Sequence, residues 1–495
     1  MKIRRLLIAN RGEIARRIIR ACRELDIETV AVHSDADGGA PHVSEADRSV
    51  RIGRAAARDS YLNIDAIIGA AQSSGADAVH PGYGFLSERA PFARACESAG
   101  LIFVGPPASA LEKMGSKTGA RALMTSAGVP VVPGDTPADQ SDRALRTAAE
   151  RVGFPLLIKP AAGGGGIGMK AVREPGALAE SLAAARREAH ASFGNDSLYV
   201  ERLIEKPRHV EIQVFGDAHG NTVHVFEREC SAQRRHQKVI EESPCPALSP
   251  TVRQRMGAAA IAAARAVGYR NAGTCEFLLE GSGDDASFYF LEMNTRLQVE
   301  HPVTECVTGV DLVHAQLRVA SGEPLPFTQD ALSQRGHAIE CRIYAEDTAQ
   351  GFIPQAGPIL LYREPQGPGI RIDSGVKAGS EVSVHYDPML AKLVAYAQNR
   401  EEARRRAANA LREYAILGIR TNIPFLLQIL EHPQFVNASI DTGFLDREGG
   451  ALAASIPGEL PPAILAFVQQ HRSTVGTPGT SGTLDPFETL GGWRG

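Results

Sequence analysis

The sequence predicts a multidomain protein that is α/β in its N-terminal part and α+β in its C-terminal part. Its 495 residues are too many for one simple core, so two or three domains are expected. Residues 5–34 read as strand, turn, helix and strand, and this βαβ order predicts a parallel sheet. From Arg335 onward, strand patterns dominate and a single helix pattern follows them, which is typical of a mixed α+β domain.

The N-terminal element starts with a short apolar strand at residues 6–9 and returns with a second strand at residues 29–32. Between them, Ile14, Ile18 and Cys22 recur at helical spacing. The turn at residues 10–13 lacks the G-x-G-x-x-G pattern, so it does not predict a dinucleotide site.

A further strand at residues 76–80 runs into a glycine-rich turn at residues 81–88, and residues 101–106 read as the last strand of the first domain. Tight packing at a strand end explains the turn as well as a role as an active-site wall, and both interpretations stay open.

A second domain is predicted to begin with the helix that holds Lys117. The strand at residues 154–159 ends in Lys159, and residues 163–169 follow with five glycines. Glycines let backbone N–H groups converge on an anion, and a neighbouring lysine can neutralise phosphate. A flexible linker is the common alternative for a glycine run, but this run lies between two strand patterns. The pattern therefore favours phosphate binding.

Two strands and a polar run follow. The strand at residues 196–201 leads into residues 202–204, whose apolar groups could pack against an adenine ring. Residues 209–214 alternate as a half-buried strand, and residues 227–238 form the polar run, in which Arg234 or Arg235 could belong to a solvated face. His209 and His236 lack the closely spaced companions of a metal pair, so hydrogen bonding to a nucleotide or substrate is favoured.

Residues 273–279 and 287–294 are predicted to form a hairpin across a polar turn at residues 281–285. Such a hairpin can bring Glu276 beside Glu292. Two facing carboxylates repel each other unless they share a proton or a cation. Together with a phosphate-binding loop, the pair predicts magnesium bridging to ATP.

The densest set of functional side chains follows an aromatic strand at residues 288–291. The alternating polar residues are Glu292, Asn294, Arg296, Gln298 and Glu300. If the segment stays extended through residue 300, a period of two places all five side chains on one face. That face would offer oxygen ligands for a hard cation and a guanidinium for an anion.

Composition narrows the function classes. A net charge of −4 gives no electrostatic argument for nucleic acid or an anionic membrane as a partner. The seven scattered cysteines form no C-x-x-C pair, which fits reduced thiols in a cytoplasmic protein. No apolar stretch is long enough for a signal-peptide core or a membrane span. Residues 473–483 read as a low-complexity linker in a tail that begins near Gly449.

Taken together, the motifs resemble the biotin carboxylases, the ATP-grasp enzymes of biotin-dependent carboxylases, over nearly the whole chain. The motifs IANRGEIA (8–15), HPGYGFLSE (80–88), RRHQK (234–238) and QVEHPVTE (298–305) carry the resemblance, whereas EMN (292–294) followed by Arg296 also occurs in related ligases. The implied fold is an N-terminal Rossmann-like pre-ATP-grasp domain (1–115), an ATP-grasp domain (116–332), a C-terminal mixed α+β domain (333–447) and a poorly ordered tail (448–495).

The resemblance also implies a role for each matching residue. The ATP-binding positions would be Lys117, Lys159, Gly165, Gly166, Glu201, Arg202, Leu203, Ile204, His209, Gln233 and His236. Magnesium or manganese would be held by Glu276, Glu292 and Asn294. Bicarbonate would contact Lys238, Arg296, Val299 through its backbone, and Arg342. Glu300 would be the general base, and Arg342 would also stabilise negative charge on the ureido oxygen of biotin.

The sequence contains no biotinylation motif, so biotin is expected on a biotin carboxyl carrier protein or domain that works with a carboxyltransferase. The resemblance further implies a homodimer and a parent carboxylase, expected to act on acetyl-CoA, in fatty acid biosynthesis, or on another acyl-CoA, although propionyl-CoA and pyruvate carboxylases stay open. Residues 485–494 resemble the segment that leads into the biotin-carrying half of fused subunits, although a disordered tail is the favoured interpretation.

Three departures accompany the resemblance. Ile167 stands where a basic residue is frequent, Arg202 stands where lysine is common, and the turn at residues 281–286 is slightly lengthened. Two rival functions remain to be distinguished. One is an ATP-grasp ligase with another acceptor, and the other is a non-catalytic nucleotide-binding subunit, although all the candidate metal ligands and the base are present.

Overall fold

The computed structural model describes residues 2–161, 168–454 and 465–466. The chain divides into two compact units. The central unit comprises Tyr83–Gln334 and Ile440–Leu445, and the flanking unit comprises Arg4–Gly82 and Arg335–Ser439.

The first part of the flanking unit is a parallel sheet whose strands are connected by helices. Its elements are β1 (Arg5–Ile8), α1 (Gly12–Glu24), β2 (Glu28–Ser34), α2 (Pro41–Glu45), β3 (Arg48–Gly53), α3 (Ile64–Ser74) and β4 (Ala78–His80). The strands lie in the order β3-β2-β1-β4, and every neighbouring pair is parallel. The apolar residues of β1 and β2 are almost completely buried, as expected for strands of a parallel sheet. The predicted βαβ opening is confirmed.

The central unit begins with helices and a small antiparallel sheet. These elements are α4 (Ala90–Ser98), β5 (Ile102–Phe103), α5 (Ala108–Gly115), α6 (Lys117–Ser126), β6 (Gly134–Asp135), α7 (Asp142–Val152), β7 (Leu156–Pro160), β8 (Lys170–Val172), α8 (Leu178–Phe193) and β9 (Leu198–Arg202). The small sheet has the order β6-β9-β7-β8 and packs its apolar face against α7 and α8.

A larger antiparallel sheet completes the central unit. Its elements are β10 (Arg208–Gly216), β11 (Thr222–Arg234), β12 (Gln237–Ser243), α9 (Pro250–Val267), β13 (Asn271–Glu280), β14 (Ser287–Asn294), α10 (His301–Thr308) and α11 (Leu312–Ala320). The strands lie in the order β14-β13-β10-β11-β12. Helix α9 starts at the N-cap Ser249, whose hydroxyl accepts from the N–H of Val252, and ends at Gly268 in the left-handed conformation.

The second part of the flanking unit is rich in strands. Its elements are β15 (His337–Tyr344), β16 (Glu346–Asp347), β17 (Ile353–Pro354), β18 (Gly357–Pro358), β19 (Leu361–Arg363), β20 (Ile370–Ser374), β21 (Glu381–Val382), β22 (Met389–Ala397), α12 (Arg400–Glu413), β23 (Ala415–Leu417), α13 (Ile423–Glu431) and α14 (Pro433–Val436), followed by α15 (Phe444–Ala454). Strand β22 pairs antiparallel with both β15 and β20, and α12 packs on this sheet.

One face of the large central sheet packs against α9, and this contact forms an extensive apolar core. Val210, Ile212 and Val214 alternate along β10 and pack against α9 residues that include Val252 and Met256. Burying each such side chain contributes roughly 1.5–3 kcal/mol. Because side chains alternate across a strand, the intervening residues of β10 face the other side of the sheet, and these are His209, Glu211 and Gln213. The apolar core thus fixes the orientation of a polar face.

Two predicted strands have other bounds in the structure. The strand expected at residues 101–106 is only the two-residue β5, and the one expected at residues 359–362 begins as β19 at Leu361. No helix among the described residues combines the length and apolar character that a bilayer crossing requires.

Candidate functional site

The polar face of the large central sheet gathers charged side chains from all five strands and from the segment after β14. Glu211 on β10 lies opposite Glu276 on β13, and Glu276 lies opposite Glu292 on β14. The predicted hairpin is therefore confirmed, and it places the two candidate metal carboxylates in register. Glu276 is buried, whereas Glu292 is exposed.

Lys238 lies at the centre of this face and donates to three carboxylates. Its Nζ is 2.6 Å from Glu211, 2.9 Å from Glu276 and 2.6 Å from Glu300. Burial alone would lower the pKa of Lys238, but the three carboxylates raise it well above its usual range. Burial likewise opposes the charge of Glu276, yet Lys238 and then His209 hold the pKa of Glu276 well below its usual range. The lysine and this carboxylate are therefore both ionised at neutral pH.

A tight turn sets the position of Lys238. Arg235 and His236 have φ values of 49° and 66°, and the strands on either side pair Gln233 with Lys238. Positive φ at both central residues is the geometry of the hairpin turns that match strand twist. Arg235 and His236 are exposed at the turn, while Gln233 is buried. The predicted solvated face is therefore limited to the turn, because Glu227, Arg228 and Glu229 are buried.

The segment after β14 is not an extended strand, and the expectation that it stays extended through residue 300 is wrong. Strand β14 ends at Asn294, and Glu300 is already the N-cap of α10, with Pro302 in the first turn. The chain turns because Thr295 donates its N–H to Glu88 at 3.0 Å and Gln298 accepts from the N–H of His301.

The polar groups of this segment converge without the predicted alternation. Gln298 donates to Glu276 at 3.1 Å, and Asn294 donates to the same carboxylate oxygen at 2.8 Å. Arg296 donates to Asn294 at 3.0 Å and to Glu88 at 3.0 Å. Burial alone would lower the pKa of Arg296, but the charges of Glu88 and Glu300 outweigh burial and the net pKa is raised. The guanidinium therefore stays charged beside the carboxylates.

His209 joins the same face from β10. Its Nε2 lies 3.2 Å from Glu276, and its backbone N–H donates to Ser231. Burial lowers the pKa of His209, but the charge of Glu276 outweighs burial and the net pKa is raised. His209 does have companions in space that could hold a metal ion with it, Glu211 and Glu276, which its neighbours in the sequence did not indicate.

The remaining nucleotide candidates lie mainly on the small sheet. Lys159 is buried on β7 and forms an ion pair with Glu201 on β9, which Arg121 approaches to 3.6 Å. The N–H of Leu203 donates to Pro155, so recognition of an adenine edge there would use other backbone groups of residues 201–204. Ile204 is buried next to this segment.

Four candidates cannot be placed with the others. Lys117 is the first residue of α6, and its side chain lies outside the described part of the structure. Gly165 and Gly166, together with Ile167, lie outside the described residues, as does the tail segment at 485–494. Arg342 lies buried on β15 of the flanking unit, where Asn422 donates to its carbonyl oxygen. Val299 is half-buried between Gln298 and Glu300.

Sequence reasoning missed two buried residues beneath the site. Arg228 is completely buried on β11 and donates to Glu211, Gln213, Thr274, Gln298 and Thr304. Glu211 accepts from both Arg228 and Lys238. Period-two alternation along β10 could have singled out Glu211, because it shares a face with His209.

Glu88 was also missed as a partner of Arg296, although it ends the glycine-rich turn at residues 81–88. That turn therefore reaches the site.

The donor set suits a hard divalent cation. Glu276 and Glu292 face each other across the hairpin, and the amide of Asn294 adjoins Glu276. Carboxylate and amide oxygens are the ligands that Mg²⁺ and Mn²⁺ prefer. The exposed carboxylate of Glu292 would leave part of the coordination shell open to substrate phosphate.

Comparison with known proteins assigns the family. Three family models match in succession: the biotin carboxylase N-terminal domain over residues 2–111, the carbamoyl-phosphate synthase L chain ATP-binding domain over 116–328, and the biotin carboxylase C-terminal domain over 340–447. These matches confirm the predicted fold class, which is an N-terminal domain with a parallel sheet, a central ATP-grasp domain and a C-terminal domain.

Full-length relatives agree. Biotin carboxylase 1 of Bacillus subtilis is 50% identical over 444 residues, which is 90% of this chain and 98% of that protein. The α subunit of methylcrotonoyl-CoA carboxylase from Glycine max is 51% identical over 446 residues, or 90% of this chain and 61% of the subunit. The chain thus spans about three fifths of the carboxylase α subunits that it matches.

Solved structures give the same result. The biotin carboxylase domain dimer of Hydrogenobacter thermophilus 2-oxoglutarate carboxylase, in complex with MgADP, ADP and bicarbonate, superposes with a TM-score of 0.86 at 42% identity, covering 92% of this chain and all of that one. The chain belongs to the biotin carboxylase family of ATP-grasp ligases.

Proposed function

We propose that this chain carboxylates biotin carried on a partner protein or domain, using ATP and bicarbonate. The observation that carries the proposal is the contact of Lys238 with Glu211, Glu276 and Glu300, with Arg296 on the same face. This arrangement provides a fixed carboxylate base and two permanent cations beside one another. Bicarbonate is a poor nucleophile and needs both a nearby base and cations that hold it in place.

In the proposed reaction, Arg296, Lys238 and the backbone at Val299 hold bicarbonate while the carboxylate of Glu300 accepts its proton. The bicarbonate oxygen then attacks the γ-phosphorus of ATP, and ADP leaves. The carboxyphosphate formed releases carbon dioxide and phosphate next to biotin, whose ureido nitrogen gives its proton to the released phosphate and forms its new bond to carbon dioxide. Arg342 stabilises the negative charge that develops on the ureido oxygen. Lys238 stabilises the ionised form of Glu300, so the base is ready before substrate arrives.

ATP is proposed to lie between the two sheets of the central unit. Lys159, Lys117 and the backbone at Gly165 and Gly166 would neutralise or cradle its phosphates, and residues 201–204, His209, Gln233 and His236 would line its base and sugar. Glu276, Glu292 and Asn294 would hold Mg²⁺ or Mn²⁺, which neutralises charge on the phosphates when bound. The MgADP and bicarbonate in the structure of the Hydrogenobacter relative support this assignment.

The finer biological assignments are proposals as well. The carboxylase of which this chain is a part would include a biotin carboxyl carrier and a carboxyltransferase, and the chain would form a homodimer as in the Hydrogenobacter structure. Since the similar α subunits belong to methylcrotonoyl-CoA carboxylases, an acyl-CoA acceptor is proposed, without an assignment to fatty acid biosynthesis. The relatives include mitochondrial proteins, so a cytoplasmic location stays a proposal. We also propose domain boundaries at residues 115, 332 and 447.

The test is ATP hydrolysis with bicarbonate and Mg²⁺, measured with and without free biotin. We expect biotin to stimulate hydrolysis, and Glu300→Gln to abolish the stimulated rate. The matched control is Glu305→Gln, because Glu305 is another buried glutamate five residues further on, whose carboxylate accepts from the N–H of Leu312. Its variant should keep the stimulated rate.

Other outcomes would point to the rival functions. Turnover that ignores biotin but responds to ammonia or an amine would identify a ligase with a different acceptor. Nucleotide binding without turnover, even with a biotinylated carrier domain, would identify a non-catalytic subunit.

A further inference from the structure

Arg202, the last residue of β9, has its side chain on the opposite face of the strand from the proposed phosphate site. Leu198 and Val200 share its face and lie in the apolar core of the small sheet, whereas Glu201 on the other face pairs with Lys159. Alternation along the strand therefore directs the guanidinium of Arg202 away from the phosphates. The charge of Arg202 is therefore not directed at the proposed triphosphate site.

The guanidinium binds instead to the β13–β14 hairpin of the large sheet. Its Nη1 and Nη2 donate to the two carboxylate oxygens of Glu280 at 3.2 Å and 2.7 Å. The same Nη2 donates to the hydroxyl of Tyr289 at 2.9 Å, and the guanidinium carbon lies 5.3 Å from the centre of the Tyr289 ring. A two-pronged contact of this kind fixes orientation as well as distance.

The hairpin that receives Arg202 is the one that carries the proposed metal ligands. Glu280 ends β13, four residues after Glu276, and Tyr289 lies on β14, three residues before Glu292. Strand β9 continues into the segment proposed to read adenine. Arg202 thus joins the adenine end of the site directly to the element that holds the metal end.

Beyond the chain itself, which runs through residues 203–207 into β10 and its pairing of Arg208 with Leu279 on β13, few backbone contacts among the described residues make the same connection. The described ones are the N–H of Phe290 to Pro130 at 2.7 Å and the bridge between Val131 and Phe290, both at the entry to the small sheet. At the exit, an open cleft of about 440 Å³ separates the loop at residues 152–155 from Glu280 and Gly281, and Arg202 lies on its wall. The side-chain contact spans a place where the two sheets are not packed together.

We propose that Arg202 is a positioning residue that sets the affinity for ATP by tying β9 to the β13–β14 hairpin through Glu280 and Tyr289. This proposal depends on the proposed function for the identity of the ligand. With the tie present, the adenine-reading segment and the metal carboxylates are held at a fixed separation before ATP binds. Without it, ATP must order the two elements itself, and this cost reduces its affinity.

The expected effect follows from the chemistry of the contact. The pair is about one third exposed on each side, so it is worth more than a surface ion pair but less than a buried one. We expect a rise of about fivefold in the Kd for MgADP and in the KM for ATP when the tie is lost, equivalent to about 1 kcal/mol. The values of kcat and of the KM for bicarbonate should stay within twofold, because no group at the reacting atoms changes.

The experiment compares four variants with the wild type: Arg202→Met, Glu280→Gln, the double variant, and Arg202→Lys. Calorimetry with MgADP gives the Kd, steady-state kinetics give KM and kcat, and thermal melting confirms folding. Lys170→Met is the matched control, because Lys170 pairs with Glu188 at 2.6 Å in an exposed ion pair within the small sheet and its helix.

We expect the two single losses to be non-additive in the double variant, Arg202→Lys to recover part of the affinity, and Lys170→Met to match the wild type. Strictly additive losses, an unchanged Kd for MgADP, or a fall in kcat at unchanged KM for ATP would each overturn the proposal. Failure of the proposed function would be seen separately. A wild-type chain that binds MgADP but does not carboxylate biotin contradicts the proposed function, yet the ratios of its Kd for MgADP to those of the variants still test the role of Arg202. A wild type that binds no MgADP overturns both proposals.

Discussion

Two groups of buried charges, one in each unit, differ in how their charges are matched. The Lys238 cluster of the central unit consists of Lys238, Arg228, Glu211, Glu276 and Glu300, and there a single ammonium serves three carboxylates.

The Asp37 cluster of the flanking unit consists of Arg11, Asp37, Tyr61, Tyr386 and His42. There one guanidinium meets one carboxylate through two hydrogen bonds of 2.7 Å each. Tyr61 donates to the same carboxylate at 2.6 Å, and the ring of Tyr386 lies 4.4 Å from the guanidinium carbon.

We therefore interpret the Asp37 cluster as a structural ion pair and the Lys238 cluster as part of the candidate functional site. In the Asp37 cluster the charges cancel and the acceptors are occupied by fixed donors, so nothing further is needed. Together with the neighbouring Glu88, Glu292, Arg296 and His209, the Lys238 cluster holds five carboxylates against four groups that can carry positive charge, and carboxylates that lack a cation repel one another. We expect a further cation or a reacting proton to relieve this excess, and Glu292, which faces Glu276 across the hairpin, is exposed. Four predictions test this comparison.

Loss of Lys238 should have the largest effect. Lys238→Met removes the cation that three carboxylates share and one proposed contact to bicarbonate, so we expect the kcat of biotin-stimulated ATP hydrolysis to fall by about 10²–10³-fold. Steady-state kinetics with circular dichroism as a folding check would measure it. An active Lys238→Met variant would show that the excess of carboxylates is structural after all.

Loss of the matched pair should affect stability and leave catalysis intact. Asp37→Asn leaves the half-buried guanidinium of Arg11 without its counter-charge, which costs about 3 kcal/mol in the free energy of unfolding, the lower end for a buried pair. Urea unfolding measures the loss, and kcat measured on the folded variant should stay within twofold of the wild type. A large fall in kcat at unchanged stability would contradict the distinction between the two clusters.

The two units should also respond to acid in different ways. His42 is completely buried near Asp37 and Arg11, and burial lowers its pKa from 6.5 to about 4. Between these values the unfolded chain binds a proton that the folded chain excludes, so stability falls as the pH falls from about 6.5 to about 4. At about 1.4 kcal/mol per pKa unit, the loss reaches about 3 kcal/mol.

The pKa of His209 shifts in the opposite direction, because the charge of Glu276 outweighs burial and raises it. Its contribution is fully present below pH 6.5 and is lost as the pH rises through its folded pKa. Urea unfolding from pH 4 to 7 should therefore give a slope that His42→Gln reduces, while Glu276→Gln should lower the pKa of His209 in an NMR titration. A slope that His42→Gln leaves unchanged, or a His209 pKa that does not fall, would break the contrast.

The sequence was a good guide to the parts of this comparison that rest on local patterns. Hydrophobic alternation and turn residues located the hairpin, and the register then placed Glu276 beside Glu292 as expected. The expected extension through Glu300 failed because the hydrogen bond that Thr295 donates to Glu88, together with the start of α10, overrides strand periodicity. Arg228 was missed for a related reason. A charged residue within a polar run looks solvated until the pairing of β10, β11 and β13 buries it beneath Lys238.

The smallest expected effect concerns the cation that the excess of carboxylates calls for. Mg²⁺ bound by the folded chain stabilises it in proportion to the logarithm of its concentration over Kd, so tenfold above Kd the gain is about 1.4 kcal/mol. Differential scanning calorimetry with ADP, with and without Mg²⁺, should show a rise in Tm that Glu292→Gln abolishes and Asp37→Asn retains. Glu292 is exposed, so its loss should lower the Tm in the absence of Mg²⁺ very little. An equal Mg²⁺ response in Glu292→Gln would mean that the facing carboxylates of β13 and β14 do not attract the cation, and the excess charge of the Lys238 cluster would then need another explanation.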